Sequence, residues 1–163
     1  NQHSADLFLS IHANASTNPE ARGIETYVLN FALNHEAEAL AARENASSVS
    51  TMARLQDLVQ TIALNAKLDE SREFAEMVQG ALEQNLRALN PKLRNLGVKQ
   101  APFVVLIGAH MPSVLAEISF LSNPEEARLL KQDAYREQIA QALFDAVQDY
   151  RDTLKNVQVA VRP

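Results

Sequence analysis

Pro112-Ser113-Val114-Leu115-Ala116-Glu117-Ile118-Ser119-Phe120 is an apolar run with one carboxylate set inside it. Val114 to Ile118 reads as a buried strand that delivers Glu117 at its mouth. A second run, Asp6-Leu7-Phe8-Leu9-Ser10-Ile11, reads as a strand over residues 6–11 and ends in His12 in the same way. A histidine and a carboxylate at the ends of neighbouring strands are parts of a metal-hydrolase site. They are only parts, because a catalytic zinc usually takes three protein ligands and keeps one position open for water.

Working outward, Asn14 to Gly23 is a loop rich in Asn, Ser and Thr. Ile24 to Leu29 alternates and carries Thr26, Tyr27 and Val28, which predicts a second strand. From Asn34 to Leu89 the texture is Ala, Glu, Leu and Gln. Glu36 to Asn45 is helical by propensity. Ser47, Ser48, Ser50 and Thr51 offer N-caps for a helix in which Met52, Leu55, Val59, Ile62 and Ala63 recur. Asp69 to Leu89 reads as a long helix with Phe74, Val78, Ala81 or Leu82, and Leu86 on its apolar face. Asn90-Pro91 and Gly97 frame a loop. Phe103 to Ile107 is continuously apolar, as expected of a strand covered on both faces. Asn123, Pro124 and Glu126 fit N-cap, N1 and N3 of a helix that continues to about Leu154, with Glu126 reaching back to the cap. Strands alternating with helices imply an α/β fold, a mostly parallel central sheet flanked by helices. Ligands of such sheets gather at the carboxyl ends of the strands, where His12 and Glu117 fall.

The 163 residues suffice for one domain, which at this size buries about 70% of the surface its unfolded chain exposes. Apolar residues at 47% and charged residues at 21% describe an ordinary globular composition. A net charge of -5 argues against a nucleic-acid partner, which demands a basic face. No apolar run approaches the roughly 18 residues of a membrane span. The chain has no cysteine, which excludes disulfides, thiol catalysis and thiolate metal sites.

His12 has two readings. It is either a histidine satisfied by a backbone carbonyl or a zinc donor aimed by a rigid strand. Glu117 sits where carboxylates are rarely buried without a partner, because desolvating the charge is costly. Either an ion pair compensates it, or it stands beside a metal and moves a proton between water and a leaving amine. His3, His35 and His110 read as surface residues or as lining without a ligand role. Asn14, Arg22 and Ser119 are candidate contacts, either to substrate or to the side chains that bind it. Glu36 and Glu38 read as a solvated acidic face.

Together these words resemble the zinc-dependent N-acetylmuramoyl-L-alanine amidases of the amidase-3 family. The resembling pieces are Ala5-Asp-Leu-Phe-Leu-Ser-Ile-His-Ala-Asn14, Ala21-Arg-Gly-Ile-Glu-Thr-Tyr-Val-Leu29, and Met111 to Asn123 continuing into Glu125-Glu126-Ala-Arg-Leu-Leu130. The resemblance implies hydrolysis of the amide joining N-acetylmuramic acid to L-alanine in peptidoglycan, in the periplasm or cell envelope. It implies that His12 is one ligand of Zn²⁺ and Glu117 the catalytic glutamate. The family's opening strand and following helix are not found here, so the other His and Glu ligands are expected upstream of Asn1. The expected organisation is an N-terminally incomplete catalytic domain over 1–156, with a regulatory helical insertion over 34–68 and a tail over 157–163.

The stretch 34–68 resembles the insertion of the cell-division amidases, in which a helix plugs the site until a LytM-type activator draws it away. Glu44, with Glu38 second, is the candidate for the plugging carboxylate. Leu40 and Val49 are candidates for the surface that packs down or meets the activator. A catalytically inactive scaffold of the same fold, and a zinc peptidase acting on another amide, are the competing readings.

Overall fold

The computed structural model describes residues 1–46 and 67–160, with the side chains of 156–160 excepted. The helix expected around Met52 to Ala63, and Val49, lie outside the described residues. Four strands form one sheet: β1 (Phe8–Asn14), β2 (Ile24–Leu29), β3 (Asn95–Ala101) and β4 (Ser113–Phe120), in the order β1-β4-β2-β3. β1 runs parallel to β4, and β2 parallel to β3, while β2 and β4 are antiparallel. The helices are α1 (His35–Asn45), α2 (Leu68–Leu86), α3 (Pro124–Leu130) and α4 (Asp133–Ala160).

Strand periodicity sorts the side chains into two layers. Ile24, Val28, Val114 and Ala116 face α2 and α4, where Phe74, Val78, Leu82, Leu86, Ile139, Leu143 and Tyr150 complete the larger core. The alternate residues Tyr27, Leu29, Leu115 and Ala101 face α1, where Ala37, Leu40 and Ala41 pack with Phe103 and Leu106. Leu40 therefore packs down onto the sheet. Asn34 caps α1, its side chain accepting from the Ala37 N–H at 2.8 Å. Glu117 shares the α1 side with Leu115, and Glu25 shares it with Tyr27.

The structure corrects several sequence expectations. Phe103 to Ile107 is not a strand. Val104–Leu106 form a single 3₁₀ turn that drops Phe103 and Leu106 into the core under α1. The strand is the preceding segment, Asn95–Ala101, whose first residues were expected to lie in the loop framed by Asn90-Pro91 and Gly97. It sits at the sheet edge, so its polar residues remain half-exposed. Gly97 takes φ +81° where its pairing with β2 slips register. The long C-terminal helix is broken at Lys131-Gln132 and then runs to Ala160. α2 ends three residues short of Leu89.

Asn123 does cap α3, accepting from the N–H groups of Glu125 and Glu126. Glu126 does not return to that cap. Its buried carboxylate accepts from the Gly23 N–H (3.1 Å), the Phe120 N–H (2.9 Å), the Ser119 hydroxyl (2.9 Å) and the Asn90 amide (3.4 Å). One side chain thus ties the start of β2, the end of β4 and the loop after α2. Gly23 is obligatory at this junction, since a Cβ there would meet the Arg94 carbonyl oxygen at 2.1 Å.

Candidate functional site

Sheet register assembles the site. His12 on β1 is the Cα partner of Glu117 on β4, and Glu117 is the partner of Glu25 on β2. Three titratable side chains therefore stand in one row on the α1 face of the sheet. Both strands run beyond these residues, so His12 and Glu117 lie within the last turns of the pleat rather than just past it. The β1–β4 register shifts immediately after His12, so that Asn14 pairs with Phe120, a bulge that re-aims the side chains at that point.

Glu117 is fully buried, and neither carboxylate oxygen has a hydrogen-bond partner among the described residues. Among the described residues no ion pair accounts for it. Burial raises its pKa to about 8, reinforced by the charges of Glu25 and then Glu44, with Arg43 opposing. Glu25, also buried, is satisfied: Asn14 Nδ2 donates to its Oε1 at 2.7 Å, and Lys99 pairs with its Oε2.

α1 closes over this row with three consecutive residues. Glu44 Oε2 lies 3.0 Å from His12 Nδ1. Arg43 Nη2 donates to Asn14 Oδ1 at 3.1 Å. Asn45 accepts from the Val104 N–H at 2.8 Å and donates to the Pro102 carbonyl at 2.9 Å, fastening the end of the helix to the 3₁₀ segment.

The structure thus brings together His12, Glu117, Asn14 and Glu44. It leaves Glu38 exposed beside His35 and engages Arg22 with Glu125 at 2.9 Å. Sequence reasoning missed Glu25, Arg43 and Lys99. The signal for Glu25 was available: it is a carboxylate within a strand whose six residues are all buried, which is the argument that singled out Glu117.

An orphaned, buried carboxylate one strand from an imidazole fits a site completed by a cation. Among the described residues no group of three His, Cys, Asp or Glu side chains converges to hold one, so His12 is one donor of a partial set.

A buried carboxyl in register with a strand-borne imidazole at one end of an α/β sheet is an arrangement suited to moving a proton. The chain belongs to the Amidase_3 family, N-acetylmuramoyl-L-alanine amidase, which matches residues 1–149. It is 34% identical over 154 residues to the N-acetylmuramoyl-L-alanine amidase AmiA of Escherichia coli K12, covering 91% of this chain and 53% of that protein. To AmiC of Neisseria meningitidis serogroup B it is 37% identical over 161 residues, covering 91% and 36%. The fold matches the crystal structure of an N-acetylmuramoyl-L-alanine amidase from Clostridium difficile 630 with a TM-score of 0.64 and 27% identity, over 93% of this chain and 61% of that one. The chain spans about half the length of the curated relative AmiA.

Proposed function

We propose that this chain forms the proton-transfer half of a zinc-dependent amidase that cleaves the bond between N-acetylmuramic acid and L-alanine in peptidoglycan, and that α1 holds it inactive. The observation that carries the reading is Glu117, sealed from water, without a hydrogen-bond partner among the described residues, and in register with His12. His12 would hold the metal together with donors from outside these 163 residues. Zinc, when bound, supplies a Lewis acid that polarises the amide carbonyl and makes water a better nucleophile. Glu117, its carboxyl raised by burial, would be favoured in the ionised, proton-accepting form beside such a cation.

Glu117 accepts the proton of the attacking water and returns it to the departing L-alanine nitrogen, a role worth about 10²–10⁴ in rate. With α1 seated, the Glu44 carboxylate occupies the space beside His12 that substrate and water need. Withdrawing α1 restores the site, a two-state switch biased by whatever binds the helix. A LytM-type activator protein is the partner proposed for that step. Peptidoglycan places the protein in the periplasm or cell envelope. No helix among the described residues is long and apolar enough to cross a membrane.

The test is product analysis. Purified peptidoglycan incubated with the intact protein should gain free L-alanine amino groups, and chelation should stop the reaction. Release of peptides cut elsewhere would favour a peptidase. No release, with or without α1, would leave the scaffold reading.

A further inference from the structure

The side-chain amide of Asn14 is held between two partners that leave no choice of orientation. A carboxylate only accepts, so Nδ2 must face Glu25. A guanidinium only donates, so Oδ1 must face Arg43. Glu25 is itself fixed, its second oxygen engaged by Lys99 on β3. The chain Lys99–Glu25–Asn14–Arg43 therefore crosses from β3 to α1, passing beside Glu117 on the same face of the sheet. Asn14 lies two residues beyond His12, just past the bulge in the β1–β4 pairing. Arg43 adjoins Glu44, so a movement of α1 that frees His12 also strips Asn14 Oδ1 of its donor. Asn14 Oδ1 then faces the opened site as an acceptor already aimed by Glu25, where water or a substrate N–H can take the place of the guanidinium.

We propose that Glu25 is a positioning residue that fixes Asn14 Oδ1 as the acceptor for a peptide N–H of the substrate, and that Arg43 fills this same subsite when α1 is seated. The proposal rests on the amidase reading and extends it. The group recognised is a secondary-amide N–H next to the scissile bond. A carbonyl in that place would oppose Oδ1.

The experiment is a double-mutant cycle in the intact protein, with Arg43→Ala and Glu44→Ala together as the background that unseats α1. Cleavage of a soluble muramoyl tripeptide is followed at steady state. Asn14→Ala and Glu25→Gln should each raise KM roughly tenfold, with a smaller change in kcat, as for loss of one hydrogen bond. The pair should lose no more than the worse single variant, because both act through one amide. A combined loss of roughly a hundredfold, or an unchanged KM for Asn14→Ala, overturns the proposal.

A second readout needs no turnover. In the protein with α1 intact, Asn14→Ala, Glu25→Gln and Arg43→Ala should speed amide exchange in α1 by similar factors. Unchanged α1 exchange in Glu25→Gln overturns the positioning role. If the background variant cleaves no muramoyl amide, the amidase reading and the substrate half of the proposal fall together. The exchange comparison then still decides whether Glu25 sets Asn14.

Discussion

Replacing Glu117 by Gln should make the metal-free protein more stable at pH 8 than the unsubstituted one. The side chain is fully buried, its oxygens lack partners among the described residues, and its pKa is raised from 4.5 to about 8. Between those values the folded state keeps a proton that the unfolded chain has released. Fewer protons on the unfolded state mean that stability falls as pH rises, by about 1.4 kcal/mol per unit within the window. The limiting loss is on the order of 5 kcal/mol, and the step from pH 5 to pH 7 alone accounts for about 2.5 kcal/mol. Gln has the same shape and cannot ionise, so the variant lacks this slope. The lowered carboxyls of Glu83, Glu125 and Asp152 are untouched and cancel in the difference between the two proteins. Urea unfolding in chelator, read by circular dichroism from pH 4.5 to 8.5, gives the comparison. Stability curves that stay parallel across that range would refute the claim that Glu117 is a desolvated, unpaired carboxyl.

Other consequences follow from the same contacts. His12→Ala in the intact protein should lower bound zinc measured by elemental analysis, and an unchanged content would assign His12 to packing. Deleting residues 34–68, or Glu44→Ala alone, should raise basal amide cleavage without an activator, and an unchanged rate would end the plug reading. Glu126→Ala leaves the Gly23 and Phe120 N–H groups, the Ser119 hydroxyl and the Asn90 amide without their shared acceptor. It should cost about 3–5 kcal/mol in chemical denaturation, since each buried donor left unpaired is expensive. A cost below about 1 kcal/mol would show that water replaces it readily.

What the sequence made legible was local. Ile24–Leu29 alternates cleanly because one face meets α2 and the other α1, and its predicted bounds hold. Glu117 stood out as a carboxylate inside an apolar run, and among the described residues no hydrogen-bond partner meets it. Two kinds of feature were hidden. β3 is an edge strand whose Gly97, Lys99 and Gln100 mask its period, whereas the apolar run beside it folds into a turn. Apolar runs of this length signal burial without saying which backbone form achieves it. The partnerships of Glu25, Arg43 and Glu126 were also hidden. They depend on sheet order and on where α1 lands, and neither is written in the spacing of residues along the chain.

The central claim is that the Glu117 carboxylate moves the proton in amide cleavage. The direct measurement is Glu117→Gln in the intact protein with α1 removed, assayed for zinc content and for liberated L-alanine amines in the same preparation. The expected result is full zinc occupancy with cleavage reduced at least about 100-fold. Undiminished cleavage at full occupancy would contradict it.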